Sequence, residues 1–446
     1  MRGLVCSLPL LLMLAAACSA PVPASPVDLT AAIAARVQAQ TAIRGERPSS
    51  TFAADLRGRY VDGGEGVVEI FAAESELLLR TERVAAAPIR SEDGALSVWI
   101  AAASGLETEP LDVGLDGFSF ADRDWQRDPG ELPAPAPALV AEVLGVYTPA
   151  TRGDNDLTLY LLEWEGQLRV QLGTVLLARA DLTADGLQLE NNSFGLTHLR
   201  WGGPAGSVDG IWVADQLYSR VLGVREGPTF KIDPAKPVEA LRAAALSASP
   251  PVESAELRES DLAEVALLEP GIALDIRYAT TNNFMGAVFY AQPRAFMQRP
   301  AAEALVGVHR RLAEYGYGLL IHDAYRPWFA TKMFWDATPE EQRHFVADPA
   351  GGSRHNRGAA VDLSLFDLTT GEPVEMTGGY DEFSERSYPF FPGGTDRQRW
   401  HRELLRREME AACFAVYEYE WWHYDFGQWA EYPILDVTFE SLDSAQ

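Results

Sequence analysis

Two short runs near the C-terminal end constrain this chain more than any other feature. The first is Ser353-Arg354-His355-Asn356-Arg357-Gly358-Ala359-Ala360-Val361-Asp362. About sixty residues later comes the second, Glu420-Trp421-Trp422-His423-Tyr424. Two imidazoles and a carboxylate are the donors of a water-activating zinc site, which takes three protein ligands and keeps one position open. A fold built on this pattern must bring His355, Asp362 and His423 to one point. Glu420 then stands beside the last ligand as a general base.

The local pattern agrees with that demand. In Ala360-Val361-Asp362-Leu363-Ser364-Leu365 the branched residues alternate with small or polar ones, as in a strand with one face on a core. Asp362 then looks into a cavity, where a cation compensates its charge. Gly358 lets the chain turn so that His355 reaches the same side. A flat strand would place Glu420 and His423 on opposite faces, so the spacing predicts an irregularity at Trp421-Trp422. His423 should bind as a neutral imidazole, its other nitrogen held by an acceptor. In Asp323-Ala324-Tyr325-Arg326-Pro327, Arg326 is placed to offer a fixed donor fork to a developing oxyanion.

Six of the seven histidines fall in this C-terminal region. His309, His344 and His401 lie among charged residues in helical runs and read as solvent-facing. His322, beside Asp323, reads as support for the site.

The chain has 446 residues and a formal net charge of -27. That length accommodates two or three domains. The charge argues against nucleic acid as a partner and against charge-driven adhesion to anionic lipid. Residues 1–17 read as a secretory signal: Arg2, then the apolar stretch Leu8 to Ala17, too short to span a bilayer. Ala15-Ala16-Ala17-Cys18 resembles a bacterial lipobox, with Cys18 the lipidated residue; ordinary signal cleavage is the alternative. The expected location is the periplasmic side, lipid-anchored, with Ser19 pointing to the outer rather than the inner membrane. Cys413 reads as a small core residue.

Residues 18–50 read as a tether with one short helix, Leu29 to Gln40. Residues 51–143 and 144–233 read as two copies of a small antiparallel all-β module, each a barrel or sandwich, or as one closed structure built from both. Leu56-Arg57-Gly58-Arg59-Tyr60 matches Leu144-Gly145-Val146-Tyr147, and Phe118 to Trp125 roughly parallels Phe194 to Trp201. A spacer role and a binding role toward peptidoglycan or a partner are both open for this region. Residues 234–256 form a proline-marked linker around a helix from Val238 to Leu246. Residues 257–446 read as an α+β domain with a small antiparallel sheet and flanking helices. Its predicted elements are a strand pair or strand and turn over Leu267–Tyr278, helices over Arg299–Tyr315, Pro327–Phe345 and Asp396–Cys413, and strands over Gly318–Asp323, Ala359–Leu365 and Val416–Phe426.

This last region resembles the zinc D-alanyl-D-alanine dipeptidases of the vancomycin-resistance type. The resemblance rests on Asp275 to Gly286, on the D-x-Y-R-P turn, on the two runs above, and on Met376-Thr377-Gly378-Gly379-Tyr380-Asp381-Glu382-Phe383, similar to an M-G-x-x-F-D-x-F pattern. It implies one Zn2+ on His355, Asp362 and His423, with Glu420 as general base and acid and Arg326 as stabiliser of the tetrahedral intermediate. It also implies that Asp381 pairs with the substrate ammonium and that Ser353 and Tyr278 line the pocket. The expected activity is exported hydrolysis of D-Ala-D-Ala in cell-wall peptide turnover. A D,D-carboxypeptidase acting on longer stem peptides and a binding lipoprotein with an idle peptidase domain are the competing expectations.

Overall fold

The computed structural model describes residues 43, 46–48 and 56–443, apart from 64–65, 74–75, 82–86, 94, 103–104, 115–116, 128–129, 152–156, 174–175, 191–195, 203–206, 224–228 and 254–255. The expected signal, the Cys18 lipidation site and the Leu29–Gln40 helix lie outside the described residues. Among the described residues no helix is long and apolar enough to cross a membrane.

The β region forms two closed, up-and-down barrels of eight antiparallel strands each. In the first, Gly58–Val61 pairs with both Val67–Ala73 and Arg123–Arg127, which closes the ring. In the second, Gly145–Pro149 closes against Gln216–Gly223, with a bulge between Arg220 and Leu222. Each interior is filled by alternating side chains, such as Val68, Ile70, Leu79 and Ile89 in one and Leu159, Leu161, Val170 and Leu187 in the other. Among the described residues, closure leaves neither barrel a free sheet edge.

The duplication shows in a shared tyrosine. Tyr60 donates its hydroxyl to the carbonyl of Leu56 at 2.7 Å, and Tyr147 donates to that of Val143 at 3.1 Å. The second proposed match is displaced. Phe118 and Trp125 pair across the last hairpin of the first barrel, and the last hairpin of the second pairs Ile211 with Tyr218. Aromatic content alone misplaced that equivalence by one hairpin.

The chain divides into two compact units. One holds the barrels together with Pro392–Trp400; the other holds 225–391 and 401–446. Within the barrel unit, Glu163 N–H donates to the carbonyl of Gly394 at 3.1 Å, and Asp396 N–H donates to the Glu163 carboxylate at 2.8 Å. Arg59 bonds Asp396 at 2.6 Å. Arg80 and Glu69 form a buried ion pair beside them.

The second unit is built on a five-stranded sheet in the order Ala273–Leu274, Tyr317–Asp323, Ala360–Asp367, Glu420–Phe426, Phe414–Tyr417. The first strand runs parallel to its neighbour, so the sheet is mixed rather than wholly antiparallel. Helix Arg299–Ala313 opens on Pro300 and buries Leu305, Val308 and Leu312. Of the two readings of Leu267–Tyr278, the structure has the strand and turn, the two-residue strand followed by a 3-10 turn Arg277–Ala279, and it adds a helical turn Val265–Leu268 before them. The helix starting near Pro327 stops at Ala337, because Pro339 cannot continue it, and a 3-10 turn Glu340–Phe345 follows. Helix Asp396–Glu410 ends three residues before Cys413, which takes a left-handed φ of 63° and is exposed, not a core residue.

Candidate active site

The central strands carry the site as a cross-strand row: Asp323 opposes Asp362, and Asp362 opposes His423. At the edge hairpin, Tyr424 pairs with Val416 but Glu420 pairs with Tyr417, so the register shifts across residues 421–423. That shift brings Glu420 to the side of His423, with Oε2 3.8 Å from Nδ1. His355 arrives from a 3-10 turn, Arg354–Arg357, capped by a reciprocal Ser353–Asn356 box and closed by Gly358 at φ 64°. A Cβ on Gly358 would lie 2.4 Å from Cδ2 of Leu262, so both conformation and space call for glycine there.

Nε2 of His355, Oδ1 of Asp362 and Nδ1 of His423 form a triangle with sides of 3.2, 3.0 and 2.9 Å. Tetrahedral coordination with bonds of about 2.0–2.2 Å sets donor separations of about 3.3 Å, so the set fits a zinc-sized ion with slight contraction. Proton placement points the same way. His355 Nδ1 donates to the carbonyl of Ala324 at 2.6 Å, and His423 Nε2 donates to Asp425 at 2.9 Å. Both remaining ring nitrogens therefore present lone pairs toward a carboxylate oxygen, an arrangement that only a cation or an added proton makes tolerable. Burial opposes the charged ring of His423, but Asp425 and Asp362 outweigh it and push its pKa up to about 10. Burial likewise works against ionised Asp362, yet His355 and His423 hold its carboxyl well below the usual range.

The other predicted residues surround this triad. Burial, reinforced by Asp362, pushes Glu420 up to about 7 against the pull of His423 and Arg326. Arg326 is held by Asp323, with Nε at 2.8 Å and Nη2 at 2.7 Å, and lies over the rings of Phe334 and Tyr278 at 4.8 and 5.2 Å. Asp381 sits at a left-handed φ of 58°, uncommon for a non-glycine residue and costly enough to suggest a purpose. Burial and the nearby Asp362 raise its pKa well above the usual range. The Tyr278 hydroxyl reaches both Asp381 oxygens at 3.0 Å, so this tyrosine holds Asp381 as well as lining the pocket. Ser353 accepts the amide of His355 at 3.2 Å. A cavity of about 470 Å3 is lined by all eight of these residues.

The structure corrects the reading of two histidines and adds residues that the sequence did not single out. His309 and His401 are buried, not solvent-facing: His309 Nδ1 accepts the amide of Leu319 at 3.2 Å, and His401 pairs with the Tyr317 hydroxyl at 3.0 Å. The side chain of His344 lies outside the described residues. Asp425, Asp323 and Tyr290, which bonds Asp323 at 2.9 Å, were missed. Asp425 carried a signal, two residues past a ligand on the same strand, and so did Asp323, which opens the D-x-Y-R-P turn; Tyr290 carried none.

Residues 258–442 match the family model of the D-ala-D-ala dipeptidases. The D-alanyl-D-alanine dipeptidase of Escherichia coli K12 is 35% identical over 185 residues, which is 42% of this chain and 94% of that protein. The chain belongs to the D-Ala-D-Ala dipeptidase family. The dipeptidase of Streptomyces coelicolor is 36% identical over 198 residues, covering 40% of this chain and 96% of the relative. That of Enterococcus faecalis is 36% identical over 172 residues, covering 34% and 85%. The family match begins at residue 258, after the last barrel strand, so the dipeptidase likeness concerns the C-terminal region, Pro392–Trp400 included.

Proposed function

We propose that this chain is an exported zinc hydrolase that cleaves D-Ala-D-Ala in cell-wall peptide turnover. The observation that carries the reading is the convergence, in one cavity, of the His355–Asp362–His423 donor triangle with Glu420, Arg326 and Asp381. Bound zinc supplies Lewis acidity toward the scissile carbonyl and the attacking water. Glu420 takes the proton from that water as the C–O bond forms, and hands it to the leaving amine as the C–N bond breaks. Arg326, immobilised by Asp323, meets the charge that develops on the carbonyl oxygen without having to reorganise. Asp381 receives the substrate ammonium, which relieves the cost of its own burial. Ser353 keeps its hydroxyl proton free for the far end of the dipeptide. Anchors at both termini disfavour longer chains, which would leave one anchor unpaired.

Export rests on the N-terminal pattern: a Cys18→Ser precursor should no longer incorporate labelled palmitate. The chemical reading is tested by D-alanine release from D-Ala-D-Ala by the mature chain. Stripping the metal with a chelator should abolish release and zinc should restore it; release that survives thorough chelation would end the reading. A second reading, trimming of longer peptidoglycan stems, is favoured by the cavity of about 470 Å3, roomy for a dipeptide bearing two methyl groups. Relative rates on the dipeptide and on a pentapeptide stem separate the two.

A further inference from the structure

The two oxygens of Asp362 keep different company. Oδ1 faces both imidazoles, 3.2 Å from His355 and 2.9 Å from His423. Oδ2 accepts the Tyr380 hydroxyl at 3.0 Å, while Arg326 Nη2 stands off at 3.5 Å. Tyr380 is buried and its ring is gripped. His322 lies over it at 4.7 Å with 30° between the planes, and Trp422 meets it edge-on at 5.6 Å. His322 is itself fixed by Asp275, whose carboxylate and carbonyl oxygens both lie 3.4 Å from Nδ1. The hydroxyl therefore has little freedom to leave Oδ2. The M-G-x-x-F-D-x-F pattern has phenylalanine at this position, which has no hydroxyl to donate.

We propose that Tyr380 is a positioning residue for the metal ligand Asp362, backed by His322 and Asp275; this rests on the zinc reading above. A free carboxylate can rotate and offer both oxygens to one ion, filling a coordination position that a hydrolase must keep open. Tyr380 occupies Oδ2 and leaves Oδ1 alone to the triad. It also draws charge from the carboxylate, as outer partners of metal ligands commonly do, and their removal typically weakens the metal about 10- to 100-fold.

The test compares full-length mature wild type, Tyr380→Phe and Asp275→Asn. Zinc affinity is measured by competition with a chromophoric chelator, and the geometry is read from the visible absorption of the cobalt-substituted protein. Tyr380→Phe should bind zinc about 10-fold more weakly or worse and show a weaker cobalt band, as an added oxygen ligand expands the coordination. Asp275→Asn should move both readouts the same way by less, and it keeps the test readable should Tyr380→Phe fail to fold. Wild-type zinc affinity and an unchanged cobalt spectrum in Tyr380→Phe would overturn the proposal while leaving the metal site standing. A wild-type chain that binds no zinc would overturn both.

Discussion

Glu69 in the barrel unit and the pair Asp381 and Glu420 in the peptidase unit are carboxylates withdrawn from water and treated oppositely. In the barrel unit the Glu69 carboxylate meets Nε of Arg80 at 3.2 Å, Arg59 at 3.3 Å and Arg399 at 3.6 Å. Burial works against its charge, but three guanidiniums overwhelm that penalty and hold the carboxyl far below its usual range. In the peptidase unit the ratio is inverted. Asp381 and Glu420 are both driven upward by burial, and Arg326 opposes that rise in each. A charge network that is complete in itself is a structural joint. A network short of positive charge fits a receptor: under the proposed function a metal ion and a substrate ammonium would supply what is missing.

That contrast can be broken from either side. The largest effect is expected at Glu420. Glu420→Gln keeps the shape and removes the base, so kcat should fall about 10^3-fold, or about 4 kcal/mol of barrier, with zinc still bound one per chain. Turnover near the wild-type level would refute its role. On the other side, Arg80→Met leaves Glu69 short of its closest cation and should cost about 3–5 kcal/mol in denaturant unfolding. Adding Glu69→Met should recover most of that loss; a double variant no better than the single would show that the pair is not the joint. Next in size is Asp381→Asn. For a free-amine D,D-dipeptide kcat/KM should drop about 100-fold, the range for truncating one partner of a buried ion pair. The N-acetylated analogue should be far less affected. Equal losses on both substrates would remove Asp381 from ammonium recognition.

The peptidase site was legible because its chemistry sits in short, closely spaced runs. Ser353 to Asp362 needs only a turn and a strand start to arrange itself, and the Glu420–His423 spacing forces the register shift that the edge hairpin shows. The barrels were legible as β structure from alternation and turn residues, and their repeat from the Tyr60 and Tyr147 neighbourhoods. Closure into rings stood there only as one alternative beside the sandwich, since the choice depends on pairings such as Tyr60 with Arg127, far apart in sequence. The placement of Pro392–Trp400 with the barrels was hidden for the same reason: Asp396 and Arg399 look like an ordinary charged helix start until Arg59 and Glu163 stand beside them. His309 and His401 misled because polar neighbours in sequence suggest exposure, while helix periodicity turned both rings inward.

The smallest expected effect sharpens the comparison most, because it reads the charge deficit directly. In the metal-free chain Glu420 has a folded-state pKa of about 7, against an ordinary value of 4.5. Between those values the unfolded carboxyl has lost its proton and the folded one still holds it. Stability from this group is therefore fully present below about pH 4.5 and is lost as pH rises through about 7. Glu420→Gln does not titrate there, so the stability difference between it and wild type isolates this group. The difference should grow by about 2.5 kcal/mol in favour of the variant between about pH 5 and about pH 8. Glu69→Gln in the barrel unit should show the opposite sign, with wild type the more stable partner above the unfolded carboxyl pKa. Zinc should shrink the Glu420 difference, since a nearby cation favours the ionised carboxylate, and leave the Glu69 difference unchanged. A Glu420 difference that stays flat with pH would mean that the site carries no deficit of positive charge, and that its resemblance to a receptor is one of shape alone.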